Sequence, residues 1–212
     1  MNQESEIALE NQQTSHTHRD DIGSKMGMWL FLFTEFLLFG GMFLLYASYR
    51  FEYADEFKTA ALRLDPVIGA INTIILLTSS LTVVLGIVAL RKNQKIFSYI
   101  MLGFTFLCGI AFLINKFFEW SAKFHHGIYP RGPEMENLSN GEAVFYGLYY
   151  VMTGLHGLHV FVGLVFFFFI FVFIHKNKIT STNFQKFENA GLYWHLVDII
   201  WIFLFPLFYL IH

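Results

Sequence analysis

Apolar residues fall in five long runs, separated by shorter polar and charged connections. The runs are Met26 to Tyr49, Val67 to Leu90, Ile96 to about Ser121, about Ala143 to Ile174, and about Ala190 to Ile211. Each supplies the roughly 20 residues with which a helix crosses about 30 Å of hydrocarbon. The runs are continuous and show no apolar–polar alternation, so helices are predicted rather than the strands of a barrel. The fourth run exceeds a straight crossing and is expected to tilt or to project beyond the bilayer. The predicted fold class is therefore all-α: a polytopic membrane protein, a bundle of five transmembrane helices over residues 26–212. Residues 1–25 are polar and mixed in charge, and read as a tail with too little apolar surface to offset its ordering entropy. Glu4, Glu6 and Glu10 stand where a signal peptide would be basic. The first apolar run also exceeds the hydrophobic region of such a peptide, so the first span is expected to remain uncleaved.

Composition says what surrounds these helices. Of 212 residues, 55% are hydrophobic and only 14% charged, against roughly 45–50% and 25% in a soluble domain. Too few charges remain to cover a water-facing surface, which excludes a soluble globular enzyme. A net charge of −2 leaves no basic footprint, so no nucleic-acid partner is expected. Cys108 is the single cysteine, so one copy builds neither a disulfide framework nor a cysteine-based metal site. Lysines and arginines set the orientation. Arg19, Lys25, Arg91, Lys92, Lys95, Lys176, Lys178 and Lys186 lie on the N-terminal side, and Arg50, Lys58, Arg63, Lys123 and Arg131 opposite. That excess predicts a cytoplasmic N-terminus and an external C-terminus.

Few side chains within the spans can carry chemistry. Glu35 sits about nine positions into the first run, roughly 14 Å deep at 1.5 Å per residue. A carboxyl there either handles protons or locks helices together, because an unpaired charge costs at least about 3 kcal/mol. His195 and Asp198 are three apart and share a helix face. They form either a proton relay, which could include Glu35, or an interhelical anchor. His156 and His159 also share a face and suggest a metal or haem ligand. Their depth on the fourth helix does not match that of His195 on the fifth, so packing is favoured, with Gly154, Gly157 and Gly163 allowing close approach and the histidines hydrogen-bonded across it. Lys116 and Glu119 are spaced for an ion pair near the outer end of the third helix, the lysine stem snorkelling to the interface or meeting lipid head groups. Asn72, Thr78, Ser79, Ser80 and Thr82 are expected to act as small polar glue between helices. Arg91, Lys92, Lys95, Lys176 and Lys178 follow the positive-inside rule and could contact anionic lipid. Phe166 to Phe169 read as lipid-facing or packing bulk. His16 and His18 could hold a surface metal, although a solvated tail accounts for them. No metal site is predicted in this chain.

Several of these motifs, in order, resemble the cytochrome c oxidase subunit III family. They are Thr34–Glu35–Phe36, Asn72–Thr73 with Leu77–Thr78–Ser79–Ser80, Phe118–Glu119–Trp120, Thr153–Gly154–Leu155–His156–Gly157–Leu158–His159–Val160, and Tyr193–Trp194–His195–Leu196–Val197–Asp198 running on to Phe205. The likeness spans about residues 26 to 211. It implies a non-catalytic core subunit of a haem–copper terminal oxidase, which reduces oxygen to water in aerobic electron transport. Haem and copper would reside in partner subunits I and II, with no cofactor bound by this chain. Structural phospholipids, support of proton uptake and a bacterial cytoplasmic-membrane location are further implications. Glu35 would be the family's buried carboxyl, and Glu188, His195 and Asp198 fall on its final-helix motif. The family's full-length form has seven helices, so the first two are absent here, along with one wall of its lipid cleft. Lys116 also replaces a glutamine of longer members. Cytochrome c is favoured as electron donor; five-helix forms in quinol oxidases and alongside nitric oxide reductase remain open, as does a small haem-binding electron carrier.

Overall fold

A computed structural model describes residues 3–211 apart from 126, 130, 131, 136 and 137, with side chains described from residue 23 onward. The helices in chain order are α1 (Gln3–Glu52), α2 (Ala54–Ala61), α3 (Pro66–Arg91), α4 (Lys95–His125), α5 (Asn140–His175) and α6 (Gln185–Tyr209), with no strand among the described residues. Five helices are long and apolar enough to cross a membrane: Gly23–Glu52 of α1, and α3 to α6. The all-α, five-span fold class is borne out. His16 and His18 lie outside the described side chains.

The chain divides into two compact units, Met1–Leu38 and Phe39–His212. The first is the opening stretch of α1 and carries Glu35. In the second, α3 packs on α4, α4 on α5, α5 on α6 and α6 on α3, so four spans close a ring. Their outward faces are apolar, as lipid contact requires: Leu81, Leu107 and Phe168 are all more than half exposed. Within the phenylalanine run, Phe166, Phe168 and Phe169 face outward, while Phe167 is buried against Trp194 with ring centroids 5.1 Å apart.

Two tight turns at one end share a device legible in the sequence. Arg91–Lys92–Asn93 and His175–Lys176–Asn177 each end a span on an asparagine at positive φ, 60° and 52°. Asparagine tolerates this left-handed region because its short polar side chain bonds locally. The turns close by Gln94 N–H to Ala89 C=O and Lys178 N–H to Phe173 C=O, both at 2.9 Å, the six-to-one bond of a Schellman cap. Lys95 Nζ donates to Asn177 Oδ1 at 2.6 Å and joins the two turns. Arg91 and Glu188 pair beside them, with the Arg91 guanidinium 4.5 Å from the Phe184 ring centroid. This tie explains why α6 starts at Gln185 rather than near Ala190: its polar first turn is held by α3.

At the opposite end, α2 was absent from the apolar pattern because eight residues with two acids and a lysine cannot span. It is instead an amphipathic clip whose Phe57, Ala60 and Ala61 are buried, with Phe57 edge-on to Tyr46 and Phe145. Ser139 caps α5 with a reciprocal Glu142 box. Glu56 of α2 adds a second carboxylate, accepting from Ser139 Oγ at 3.0 Å and from Gly141 N–H. A Cβ at Gly141 would displace that carboxylate and stand 2.6 Å from the Cβ of Tyr53, so glycine is favoured there.

Glycines inside the spans divide by what lies over them. Added Cβ atoms would stand 2.9 Å from Trp120 at Gly154 and 2.6 Å from Trp194 at Gly163, but no nearer than 4.0 Å to anything at Gly157. Close approach thus occurs at Gly154 and Gly163 and, contrary to the sequence reading, not at Gly157. Alanine favours a helix over glycine by roughly 0.5–1 kcal/mol at any of these positions. Gly157→Ala is therefore expected to leave the thermal midpoint in detergent unchanged or raised. Gly163→Ala should lower it, because overpacking against a rigid ring costs about 1–3 kcal/mol. A gain at Gly163 would show that Trp194 moves aside freely.

Candidate functional site

The densest polar chemistry lies where α4, α5 and α6 meet. On α4, Phe112, Lys116 and Glu119 fall on one buried stripe at helical spacing. Lys116 and Glu119 are only 7% and 8% exposed. Their ion pair, 3.0 Å from Nζ to Oε2, is present as the spacing predicted. Its setting is different: the lysine does not snorkel to the interface but is enclosed by tyrosines from two other helices. Tyr149 and Tyr209 donate their hydroxyls to Glu119 Oε1 at 2.7 and 2.6 Å. Lys116 Nζ in turn donates to the Tyr209 hydroxyl oxygen at 2.6 Å and lies 4.9 Å from the Trp201 ring centroid. Both charges are therefore matched and hydrogen-bonded, the condition under which an ion pair survives in an apolar interior.

His156 lies on the same face of α5, two turns along from Tyr149. It is fully buried, tilted against Trp201 at 5.1 Å and edge-on to Phe112 at 5.5 Å between centroids. Neither ring nitrogen has a hydrogen-bond partner among the described residues. This corrects the expectation that both histidines bond across a helix contact. Phe112 and Trp201 are themselves edge-on at 4.8 Å, so the imidazole is walled by rings. His159 Nδ1 pairs with the Leu155 carbonyl of its own helix at 2.7 Å, and its ring meets Phe39 and Tyr193.

A second polar group joins α3 to α6. Ser80 Oγ and His195 Nδ1 are 2.6 Å apart. Asp198 is buried beside Ser80, and neither carboxyl oxygen meets a donor of hydrogen-bond geometry among the described residues. Glu35 lies on α1 in the first unit, whereas His195 and Asp198 lie on α6 in the second. Asn72 is buried and accepts from Asn115 Nδ2 at 2.9 Å, tying α3 to α4. Ser79 accepts from Trp194 Nε1 at 2.9 Å and Thr82 pairs with Thr105 at 2.8 Å. Thr78 is exposed and, among the described residues, bonds to Ile74 of its own helix rather than to another. Glu188 forms the Arg91 tie described above.

Among the described residues, no three His, Cys, Asp or Glu side chains gather as a metal-binding group. The arrangement holds four helices in register, and most of its polar atoms are consumed in doing so. Tyr149, Tyr209 and Trp201 were missed from the sequence. Tyr149, Thr153 and His156 do recur at helical spacing, but aromatic residues are so abundant in this chain that the pattern does not stand out. The Ser139–Glu142 capping box was legible and unread.

Comparison with known proteins now identifies the fold. The sequence model described as "Cytochrome c oxidase subunit III" matches residues 4–212. The chain belongs to the cytochrome c oxidase subunit III family. A relative named cytochrome c oxidase subunit 3, from Alkalihalophilus pseudofirmus, is 36% identical over 200 residues, 92% of each chain. A probable quinol oxidase subunit 3 from Staphylococcus saprophyticus is 31% identical over 190 residues, 89% of each chain. A second, from Staphylococcus aureus, is 29% identical over 199 residues, 93% of this chain and 92% of the other. The relatives thus share the length of this five-span form as well as its sequence.

Proposed function

We propose that this chain is subunit III of a bacterial haem–copper terminal oxidase that takes electrons from cytochrome c. The observation that carries the reading is the family match over nearly the whole chain. The choice of cytochrome c rests on the relative bearing that name, which at 36% exceeds the 31% of the quinol oxidase relative. That second relative supports the competing reading, a quinol oxidase subunit 3. The proposed role is non-catalytic: assembly, lipid contact and support of proton uptake beside subunits I and II, which hold the haem and copper. Side-chain chemistry supports this division. Lys116, Glu119, Tyr149 and Tyr209 bond to one another, and His156 is walled by Phe112 and Trp201. Glu35 is assigned as the family's buried carboxyl. The charge bias between the two sets of connections supports an N-terminus in the cytoplasm, an external C-terminus and a place in the bacterial cytoplasmic membrane.

The test is mild-detergent purification of the chain from native membranes, with optical spectra of the eluate and of the isolated chain. Haem in the complex and none on the isolated chain is the expected result, with oxygen consumption supported by reduced cytochrome c. Turnover with quinol alone would transfer the chain to the competing reading. A nitric oxide reductase complex would overturn the oxidase assignment, and haem on the isolated chain would make it an electron carrier.

A further inference from the structure

At the end of the bundle that carries α2 stands the single Asn–Gly pair of the sequence, Asn140–Gly141. Such a pair carries chemistry of its own. The backbone nitrogen of the glycine attacks Cγ of the asparagine side chain, and the new N–C bond closes a five-membered succinimide. The Cγ–Nδ2 bond breaks, and the side-chain nitrogen leaves as ammonia with the proton of the glycine N–H. Water then opens the ring at either carbonyl, giving aspartate or isoaspartate, so asparagine and water become acid and ammonia. Glycine favours the attack because no Cβ shields its nitrogen. Asn140 is exposed and begins the α5 span, so it stands where hydrocarbon gives way to head groups and water arrives.

The fold restrains both participants. Ring closure must turn Gly141 N towards the Asn140 side chain about the Cα–C bond, away from the helical ψ of about −42°. The first turn of α5 therefore has to open locally before the reaction can start. Glu56 of α2 holds it closed, its Oε2 accepting from Gly141 N–H, the attacking nitrogen, and from Ser139 Oγ at 3.0 Å. Glu142 holds the same turn from within α5, accepting from Ser139 N–H at 3.3 Å while paired with Arg63. A carboxylate is too weak a base to take a proton from a backbone amide, so the Glu56 contact tethers the nitrogen rather than activating it.

We propose that Asn140 is a site of spontaneous deamidation, slowed by Glu56, whose product loosens α2. Aspartate sets a third carboxylate beside Glu56 and Glu142. Isoaspartate adds a backbone atom between Ser139 and Gly141 and carries the Gly141 N–H out of register with the cap. With either product α2 loses its polar hold on α5 and keeps the apolar one, Phe57 against Tyr46 and Phe145.

The test is storage of the detergent-solubilised full chain at mildly alkaline pH, with timed digestion and mass spectrometry of the peptide that contains residue 140. Mass separates acid from amide, and chromatography separates aspartate from isoaspartate. Conversion in the parent chain should be at least about tenfold slower than in a synthetic peptide spanning Ser139 to Ala143, the scale of one charge-assisted hydrogen bond. Glu56→Ala should raise the rate about tenfold, and Glu56→Gln, which keeps an acceptor oxygen, should raise it less. Lys58→Ala, exposed on α2, should leave it unchanged. Trypsin should cut after Lys58 faster in converted chain than in fresh chain. Conversion of the parent at the peptide's rate would overturn the proposal, and this comparison needs no variant, so it decides even where Glu56→Ala fails to fold. An unchanged rate in Glu56→Ala would overturn it as well, and a slower one would make the carboxylate a base rather than a tether. Equal cutting of converted and fresh chain would overturn the loosening of α2. None of these outcomes bears on the oxidase assignment.

Discussion

Glu119→Gln lowers the thermal midpoint of the detergent-solubilised chain by about 6–20 °C, and Lys116→Met does the same. The magnitude follows from what each change leaves behind. Breaking a buried ion pair by removing one partner costs about 3–5 kcal/mol, because the other charge stays in the interior without compensation. For a chain of this size 1 kcal/mol corresponds to roughly 2–4 °C. Lys116 and Glu119 are both more than nine-tenths buried, so water cannot replace the lost partner. The double variant Lys116→Met/Glu119→Gln is expected to regain more than half of the loss, since replacing both charges removes the uncompensated one. The measurement is the complete four-member cycle, read as unfolding midpoints. Single effects that simply add in the double variant would show that the two charges are not coupled, and the pair would then be a surface feature of the kind first expected from the spacing.

That contrast, between a snorkelling pair and an enclosed one, marks where sequence reasoning reaches its limit. Spacing along one helix shows that Lys116 and Glu119 can meet, because residues three apart are neighbours on its surface. It says nothing of what other helices bring to them. Tyr149 and Tyr209 lie 33 and 93 residues from Lys116 along the chain, and no local pattern signals such partners. The five spans were legible for the opposite reason: the bilayer demands about 20 apolar residues in each, a purely local constraint. The Asn93 and Asn177 turns were equally local. The polar first turn of α6 and the amphipathic α2 fell below the hydropathy signal, since each owes its order to contacts with other helices.

The same reasoning separates the polar contacts that hold the bundle from those that merely occupy it. A hydrogen bond between membrane helices is worth about 0.6 kcal/mol on average, because the separated helices find other partners in the membrane. The Asn72–Asn115 and Thr82–Thr105 pairs are therefore small increments of register rather than anchors. Shape contributes more. Trp194 is fully buried at the centre of the ring of spans, its edge over Gly109 and Gly163 and its ring tilted against Phe167.

Trp194→Ala is accordingly expected to match the ion-pair variants, with a cost of about 3–5 kcal/mol for the cavity left by a large aromatic. The indole touches three helices besides its own: Gly109 on α4, Gly163 on α5, and Ser79 on α3 through Nε1. The two glycines contribute no side chain of their own to the vacated space, which leaves only neighbours such as Leu164 and Phe167 to fill it. Ser79→Ala isolates the hydrogen bond and should cost no more than about 1.7 kcal/mol, the upper end for such bonds in membranes. Comparison of unfolding midpoints for Trp194→Ala, Trp194→Phe and Ser79→Ala decides between the two contributions. Packing dominance predicts that phenylalanine, which keeps an aromatic ring between the glycines, recovers much of the loss although it cannot donate to Ser79. If phenylalanine were as damaging as alanine while Ser79→Ala matched both, the indole N–H rather than its volume would be what holds α6 to α3.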